Sequence, residues 1–349
     1  MKGVASLEDG AERRSLGACR AMAGSMQLID LPDNPCPDGA IVETIRAADG
    51  VSIRCAHWRS LLRHPRGTVC LFHGRSEFIE KYFEVIRDLR ARGFAVATFD
   101  WRGQGGSDRL IEDGRLGHIL DFEHYGRDLD AFMRQIALPE CPLPYYALAH
   151  SMGAAILLST LPARSSWFER VVASAPMIEL STKPPAARLL ARFLAGLGLT
   201  RRIVPGWSPA PIVLRPFEGN VVTSDPVRYQ RAAAVARVAP RLSIGGPTIG
   251  WVRAAFTLMD RIGDPAFGKE WRTPMLMLLA GDDKVVSTLA AEQCSRKLRG
   301  TKALVIAGAR HEMMQEQDVL RNRFWAAFDA FVPGSLTDYA PDAAVQDQA

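Results

Sequence analysis

One serine, where an apolar strand turns abruptly into a helix, constrains this chain more than any other feature. The run Tyr145-Tyr146-Ala147-Leu148 leads into Ala149-His150-Ser151-Met152-Gly153, and the small and apolar stretch Gly153-Ala154-Ala155-Ile156-Leu157-Leu158 follows. A side chain on so sharp a turn projects from the edge of a parallel sheet, and the strained backbone demands small residues at −2 and +2. Ala149 and Gly153 meet that demand, so the segment reads as the strand–turn–helix elbow G-x-S-x-G with alanine in the first glycine position. A serine that merely caps a helix is the alternative at this point.

Strands and helices alternate on both sides of the elbow. Ile41-Val42-Glu43-Thr44-Ile45 and Val51-Ser52-Ile53-Arg54-Cys55-Ala56 flank Ala48-Asp49-Gly50 and predict a hairpin. Further strands are expected over 68–72, 94–99, 145–149, 171–176, 275–280 and 303–306. Helices are expected over 78–92, 121–135, 287–298 and 313–331. This alternation predicts an α/β fold, a mostly parallel twisted sheet flanked by helices. Residues 177–264 break the rhythm and read as an inserted helical cap, which divides the core into 40–176 and 265–331. Residues 1–39 are expected to be a disordered extension and 332–349 a disordered tail. The first 26 residues lack an apolar signal core, and the start of the functional chain is expected at Met22 or Met26.

Three further segments carry chemistry. Strand 68–72 runs into His73-Gly74-Arg75-Ser76-Glu77; strand 94–99 runs into Asp100-Trp101-Arg102-Gly103-Gln104-Gly105-Gly106-Ser107-Asp108; and Gly308-Ala309-Arg310-His311-Glu312 follows the last strand. With the elbow, these resemble the alpha/beta-hydrolases of the monoacylglycerol lipase and bacterial lysophospholipase branch. Leu116-Gly117-His118 and Gly245-Gly246-Pro247-Thr248 before Trp251 lean towards the bacterial lysophospholipases, and the likeness covers about residues 40 to 331. Ser76 stands where many relatives have glycine and Trp101 where many have histidine, which puts the fine shape of the acyl pocket in question.

The resemblance implies an alpha/beta-hydrolase fold and a nucleophile–acid–histidine order along the chain. Ser151 is then the nucleophile and His311, late and just after a strand, the base. The acid lies in Gly281-Asp282-Asp283, where Lys284 and Val285-Val286 follow the family spacing behind Asp283, so Asp283 is preferred to Asp282. Asp283 is 132 residues after the serine, room for a cap, and 28 before the histidine, room for one helix and one strand. A serine hydroxyl needs a base to take its proton and an acid to fix the base's tautomer. The oxyanion hole is expected from the N–H groups of Met152 and Arg75. His73 reads as a brace of its loop, and His150 as structural, its side chain directed away from the serine. The elbow serine excludes the aspartate-nucleophile dehalogenases and epoxide hydrolases of the same fold.

Six scattered cysteines without a C-x-x-C pair fit a reduced, cytoplasmic setting and suggest no metal, and no cofactor is implied. No apolar run of spanning length occurs. From Leu180 to Asp264 twelve Lys or Arg face four acids, so this segment is +8 in a chain that is +5 overall. A helix carrying Leu190, Phe193, Leu194 and Leu197 on one face and Arg188 and Arg192 on another suits two settings. It could lie on an anionic membrane from the cytoplasmic side, or pack its apolar face on the core as a lid. The basic excess is local and lacks a nucleic-acid motif, which argues against a nucleic-acid partner. The expected activity is hydrolysis, through an acyl-enzyme, of the carboxylic ester of a single-acyl-chain lipid, a lysophospholipid or monoacylglycerol. A carboxylesterase or thioesterase for small soluble acyl substrates is the alternative, and a silent acyl-ligand sensor a third reading.

Overall fold

The computed structural model describes residues 27–163, 167–182 and 186–334, together with the backbone of Arg20–Ala21. Its strands are β1 (Arg20–Ala21), β2 (Ile41–Arg46), β3 (Ser52–Trp58), β4 (Thr68–Phe72), β5 (Ala95–Phe99), β6 (Tyr145–His150), β7 (Arg170–Ser174), β8 (Met275–Ala280) and β9 (Thr301–Ile306). They form one sheet in the order β1-β2-β3-β5-β4-β6-β7-β8-β9. β2 and β3 form the expected antiparallel hairpin, and β3 runs antiparallel to β5; every pairing from β5 to β9 is parallel. The central strands β4, β5, β6 and β8 are buried along their whole length, as near-continuous apolar runs must be when helices cover both faces.

The helices are α1 (Phe83–Ala91), α2 (Glu123–Phe132), α3 (Leu138–Glu140), α4 (Met152–Thr160), α5 (Ala187–Gly196), α6 (Pro226–Val238), α7 (Ile249–Gly263), α8 (Thr288–Lys297) and α9 (Asp318–Phe331). A π-helical turn, Met133–Ala137, joins α2 to α3. The helix expected over 78–92 starts late. Phe78 is extended (φ −153°, ψ 164°), a 3-10 turn spans Ile79–Tyr82, and only then does α1 begin. The Phe78 ring is buried with Val235, Ala239 and Leu242 in a small second core beneath the insert, which holds it off the helix. The helix expected over 313–331 is also broken. Glu316 leaves the helical region because its carboxylate accepts from the N–H groups of Arg310, Ser224 and Gln317 at 2.9, 3.0 and 3.1 Å.

Part of the expected N-terminal extension is packed. Leu28 and Asn34 are buried, the Asn34 amide donates to the Glu80 carbonyl at 2.9 Å, and the Trp58 indole donates to the Pro37 carbonyl at 2.9 Å. At the other end Val332 is buried against the core. The remainder of the two expected extensions, 1–19, 22–26 and 335–349, with Met22 and Met26, lies outside the described residues.

Between β7 and β8 the described residues form helices α5, α6 and α7 with short 3-10 turns and no strand. Asp225 caps α6, its side chain accepting from Val227 and Arg228 N–H with proline at the first helical position, and Thr248 caps α7 by accepting from Trp251 N–H. The segment Gly245–Thr248 is laced to the core by main-chain bonds: Gly245 N to Arg115 O at 2.7 Å, Gly117 N to Gly246 O at 3.2 Å and Thr248 N to Gly117 O at 2.9 Å. Core acids meet three of the insert's basic side chains. Arg228 pairs with Glu84 and Asp318 at 2.8 and 2.7 Å, Arg231 with Glu84 at 2.7 Å, and Arg261 with Glu123 at 2.7 Å.

Helix α5 divides the apolar face that its sequence shows: Leu190 and Leu194 line the cavity over Ser151, as in a lid, while Phe193 and Leu197 meet solvent. Arg188 and Arg192 turn towards α7, both paired with Asp260, while Leu189, Phe193 and Leu197 are 68%, 63% and 60% exposed.

Candidate active site

The elbow forms as its sequence requires. Ser151 follows β6 with φ 48° and ψ −111°, a left-handed conformation that costs a non-glycine residue energy and persists only where its surroundings enforce it. Two bonds do so: Ser151 N donates to Ser174 O at 2.9 Å, and Met177 N donates to Ser151 O at 3.1 Å. Gly153 is obligatory, since a Cβ there would stand 2.6 Å from the Phe72 carbonyl oxygen and 2.7 Å from that of His73. Ala149, without exposure, tolerates one methyl group at the same crowded strand–helix contact.

Ser151, His311 and Asp283 are brought into one hydrogen-bonded line. Ser151 Oγ lies 3.0 Å from His311 Nε2, and His311 Nδ1 lies 2.8 Å from Asp283 Oδ2. Asp283 Oδ1 accepts from the N–H groups of Val285 and Val286 at 2.8 and 2.9 Å, which anchors the carboxylate. Burial works to raise the Asp283 carboxyl, but the His311 hydrogen bond and charge and the two N–H donors outweigh it and hold it below its usual value. An ionised acid fixes His311 with its proton on Nδ1 and its Nε2 lone pair towards the serine. Asp282 takes no part: its carboxylate reaches outward to Lys284 at 2.6 Å.

The backbone N–H groups of Met152 and Arg75 donate to no described residue, so both are free to bind an oxygen. Met152 opens α4, whose N-terminus favours negative charge. The Arg75 loop is braced from behind. The Gln104 amide donates to Gly74 O at 2.8 Å and its oxygen accepts from Ser76 N at 3.3 Å. His73 braces the loop as expected, bonding Asp100 Oδ1 at 3.2 Å, and Asp100 in turn pairs with the buried Arg54 at 2.6 Å. Trp101 does not shape the pocket: it is fully buried, donates its indole N–H to His73 O at 2.9 Å and packs on Phe99. Ser76 does line the cavity, with φ 63°, the conformation glycine would adopt without strain.

His150 differs from expectation. Its ring centroid lies 4.8 Å from that of His311, and it lines the cavity beside Ser151. Strand alternation stops at the elbow, so it does not predict the direction of the last strand side chain. Burial pulls the His150 imidazole down to about 3, making it a neutral wall of the site, and its Nδ1 has no partner among the described residues.

A polar floor next to it was not signalled by any motif. Lys81 pairs with Glu77 at 2.8 Å and with Glu312 at 2.7 Å, and the Tyr82 hydroxyl donates to Glu77 at 2.7 Å. Burial would raise the Glu77 carboxyl, yet the Lys81 ammonium, by its charge and its hydrogen bond, holds it well below its usual range. The i, i+4 spacing of Glu77 and Lys81 was the available signal, and it reads equally well as a solvated helix pair.

Above Ser151 opens a cavity of about 810 Å³, walled mostly by apolar side chains. Val285 and Val286 contribute from the core, and Met177, Leu190, Leu194, Val204, Trp207 and Phe256 from the insert. The volume falls in the range of small-molecule sites, roughly 300–1,000 Å³. No group of three or more His, Cys, Asp or Glu among the described residues is arranged to hold a metal ion.

The chain is similar to known proteins over most of its length. The model of the family described as serine aminopeptidase, S33 (Hydrolase_4) matches residues 63–318. Lysophospholipase L2 of Escherichia coli (strain K12) is 32% identical over 298 residues, covering 78% of this chain and 82% of that one. The monoglyceride lipase of Rattus norvegicus is 28% identical over 160 residues, 44% of this chain and 51% of its own. A solved structure of a soluble variant of monoglyceride lipase from Saccharomyces cerevisiae, in complex with a substrate analog, superposes with a TM-score of 0.66. It is 19% identical, over 84% of this chain and 97% of that one, a likeness of fold.

Proposed function

We propose, for a chain that belongs to the serine aminopeptidase S33 family of alpha/beta-hydrolases, the hydrolysis of a carboxylic ester in a single-acyl-chain lipid. The observation that carries the reading is the line Ser151–His311–Asp283 opening into an apolar cavity of about 810 Å³. Similarity to a lysophospholipase and a monoglyceride lipase supports a lipid ester as the substrate class.

The geometry supports the following course of reaction. The acyl chain lies along the apolar wall and brings its carbonyl carbon to Ser151 Oγ. His311 Nε2 takes the hydroxyl proton as the new bond forms, and the negative oxygen receives the N–H groups of Met152 and Arg75. His311, now charged and steadied by Asp283, returns the proton to the departing alcohol and leaves an ester on Ser151. Water, activated by the same imidazole, releases the fatty acid and restores the serine.

Residues 177–264 act as the cap over this site, and 40–176 with 265–331 as its core. The exposed Leu189, Phe193 and Leu197 support peripheral contact of the cap with a lipid surface, where the substrate resides. Among the described residues no helix is long and apolar enough to cross a membrane.

The test is labelling with a fluorophosphonate ester, together with turnover of lysophospholipid, monoacylglycerol and p-nitrophenyl butyrate. Ser151→Ala should lose the label and lower kcat on the order of 10⁴-fold or more with an unchanged circular dichroism spectrum. Retention of a tenth of the activity would overturn the assignment of the nucleophile.

A further inference from the structure

Four basic side chains line the cavity, and three of them are accounted for. Lys81 is held between Glu77 and Glu312, Arg228 pairs with Glu84, Asp225 and Asp318, and Arg215 lies exposed over the Trp207 ring. Arg75 is different. Its guanidinium donates to the Gly245 carbonyl at 2.7 Å and the Ser76 hydroxyl at 3.0 Å, and lies 5.1 Å from the centre of the Trp251 ring. Its Nε is buried without a partner, and no carboxylate among the described residues pairs with it. Burial pulls its guanidinium down to about 10, which leaves it charged at neutral pH.

A half-buried cation without a counter-charge is held at a cost and is stabilised when an anion arrives. Guanidinium has the fork geometry that matches two phosphate oxygens. The placement suits such a ligand, because Arg75 follows Gly74, which sits against Ser151, and lines the same cavity. As many bonds separate the Arg75 amide nitrogen from the guanidinium carbon as separate the ester carbonyl carbon from phosphorus in a 1-acyl glycerophosphodiester.

We infer that the Arg75 side chain is the head-group receptor of this site and selects single-chain lipids that carry a phosphodiester over neutral monoacylglycerols. The inference rests on the ester-hydrolase reading above and specifies its substrate. The residue then serves twice: its backbone holds the developing oxyanion, and its side chain holds the permanent negative charge of the leaving group.

The experiment compares kcat/KM for a lysophosphatidylcholine and a monoacylglycerol of the same chain length, in wild type, Arg75→Gln and Arg75→Lys. Because the readout is the ratio of the two substrates, any general damage to the oxyanion loop cancels. The ratio should fall about tenfold or more in Arg75→Gln, mainly through KM for the phospholipid, and less in Arg75→Lys. Two non-hydrolysable probes test the wild type directly, with p-nitrophenyl butyrate as the reporter. 1-O-Dodecyl-glycero-3-phosphocholine should compete about tenfold better than 1-O-dodecylglycerol, and Arg75→Gln should erase the difference. A ratio unchanged in Arg75→Gln would show that the side chain is only a strut for the Gly245 loop and overturn the inference. Inhibition by inorganic phosphate as strong as by 1-O-dodecyl-glycero-3-phosphocholine would assign the guanidinium to a free anion and overturn it too. Fluorophosphonate labelling of Ser151 separates these failures from failure of the hydrolase reading, which would abolish the label.

Discussion

Asp282 and Asp283 are neighbours in the chain and face opposite ways: Asp283 reaches inward to His311 at 2.8 Å, and Asp282 outward to Lys284 at 2.6 Å. The strand β8 has ended by this point, so the chain is free to present successive carboxylates to the protein and to water.

The two acids should therefore separate sharply in mutation. Asp283→Asn leaves the shape and removes the charge that fixes the His311 tautomer, and kcat should fall on the order of 10⁴-fold. Asp282→Asn should cost less than about threefold, as expected when one exposed ion pair is lost. Steady-state kinetics on p-nitrophenyl butyrate decides, and the opposite ranking would exclude Asp283 as the acid.

His118 should make the fold sensitive to acid. It is buried between the core and the insert, and its Nδ1 lies 2.9 Å from the Thr248 hydroxyl. Burial, aided by Arg201, pulls its imidazole down to about 4. The unfolded chain takes up the proton near pH 6.5, the folded protein only near pH 4, so stability is complete above the first value and falls between the two. The loss should show as a Tm that falls by a few degrees between pH 7 and pH 4. His118→Asn should flatten that slope in thermal melts between pH 7 and pH 4, and parallel curves for the two proteins would remove His118 as the cause.

The exposed face of α5 should govern attachment to lipid. Leu189, Phe193 and Leu197 do not line the cavity, so Leu189→Ser/Phe193→Ser/Leu197→Ser leaves the acyl site as it is. Co-sedimentation with phosphatidylglycerol vesicles should weaken about tenfold or more in this variant, since each side chain forfeits on the order of 1 kcal/mol or more of burial. Arg188→Gln/Arg192→Gln should weaken it less, because Asp260 and Glu179 already occupy those charges. Undiminished binding of the triple serine variant would leave α5 an ordinary lid helix.

Much of this was legible in the sequence wherever local pattern and environment agree. β8 occupies Met275–Ala280 as its unbroken apolar run predicts, because nothing polar in it offers another solution. Ser151, His311 and Asp283 come together because each closes a strand of the same parallel sheet, and strand ends in such a sheet share one rim. The misread positions depend on partners distant in the chain. Phe78 is drawn out of a helix by Val235 of α6 with Ala239 and Leu242, and Glu316 by Ser224; the Arg75 side chain, for which the sequence offers no reading, finds its partner only in Gly245, 170 residues later. The periodicity of α5 shows that it has two faces and is silent on which one meets water.

The lacing of Gly245–Thr248 onto Arg115 and Gly117 divides the roof of the site into two parts with different freedom to change. One part shares its main-chain bonds with the core, so alterations there register as lost folding before they register as altered selectivity. The other, α5, meets the rest mainly through side chains and can be re-lettered with little penalty to the scaffold. A lineage of such enzymes can thus drift in the chain lengths it accepts and the interfaces it visits, while the fold and the reacting groups stay fixed.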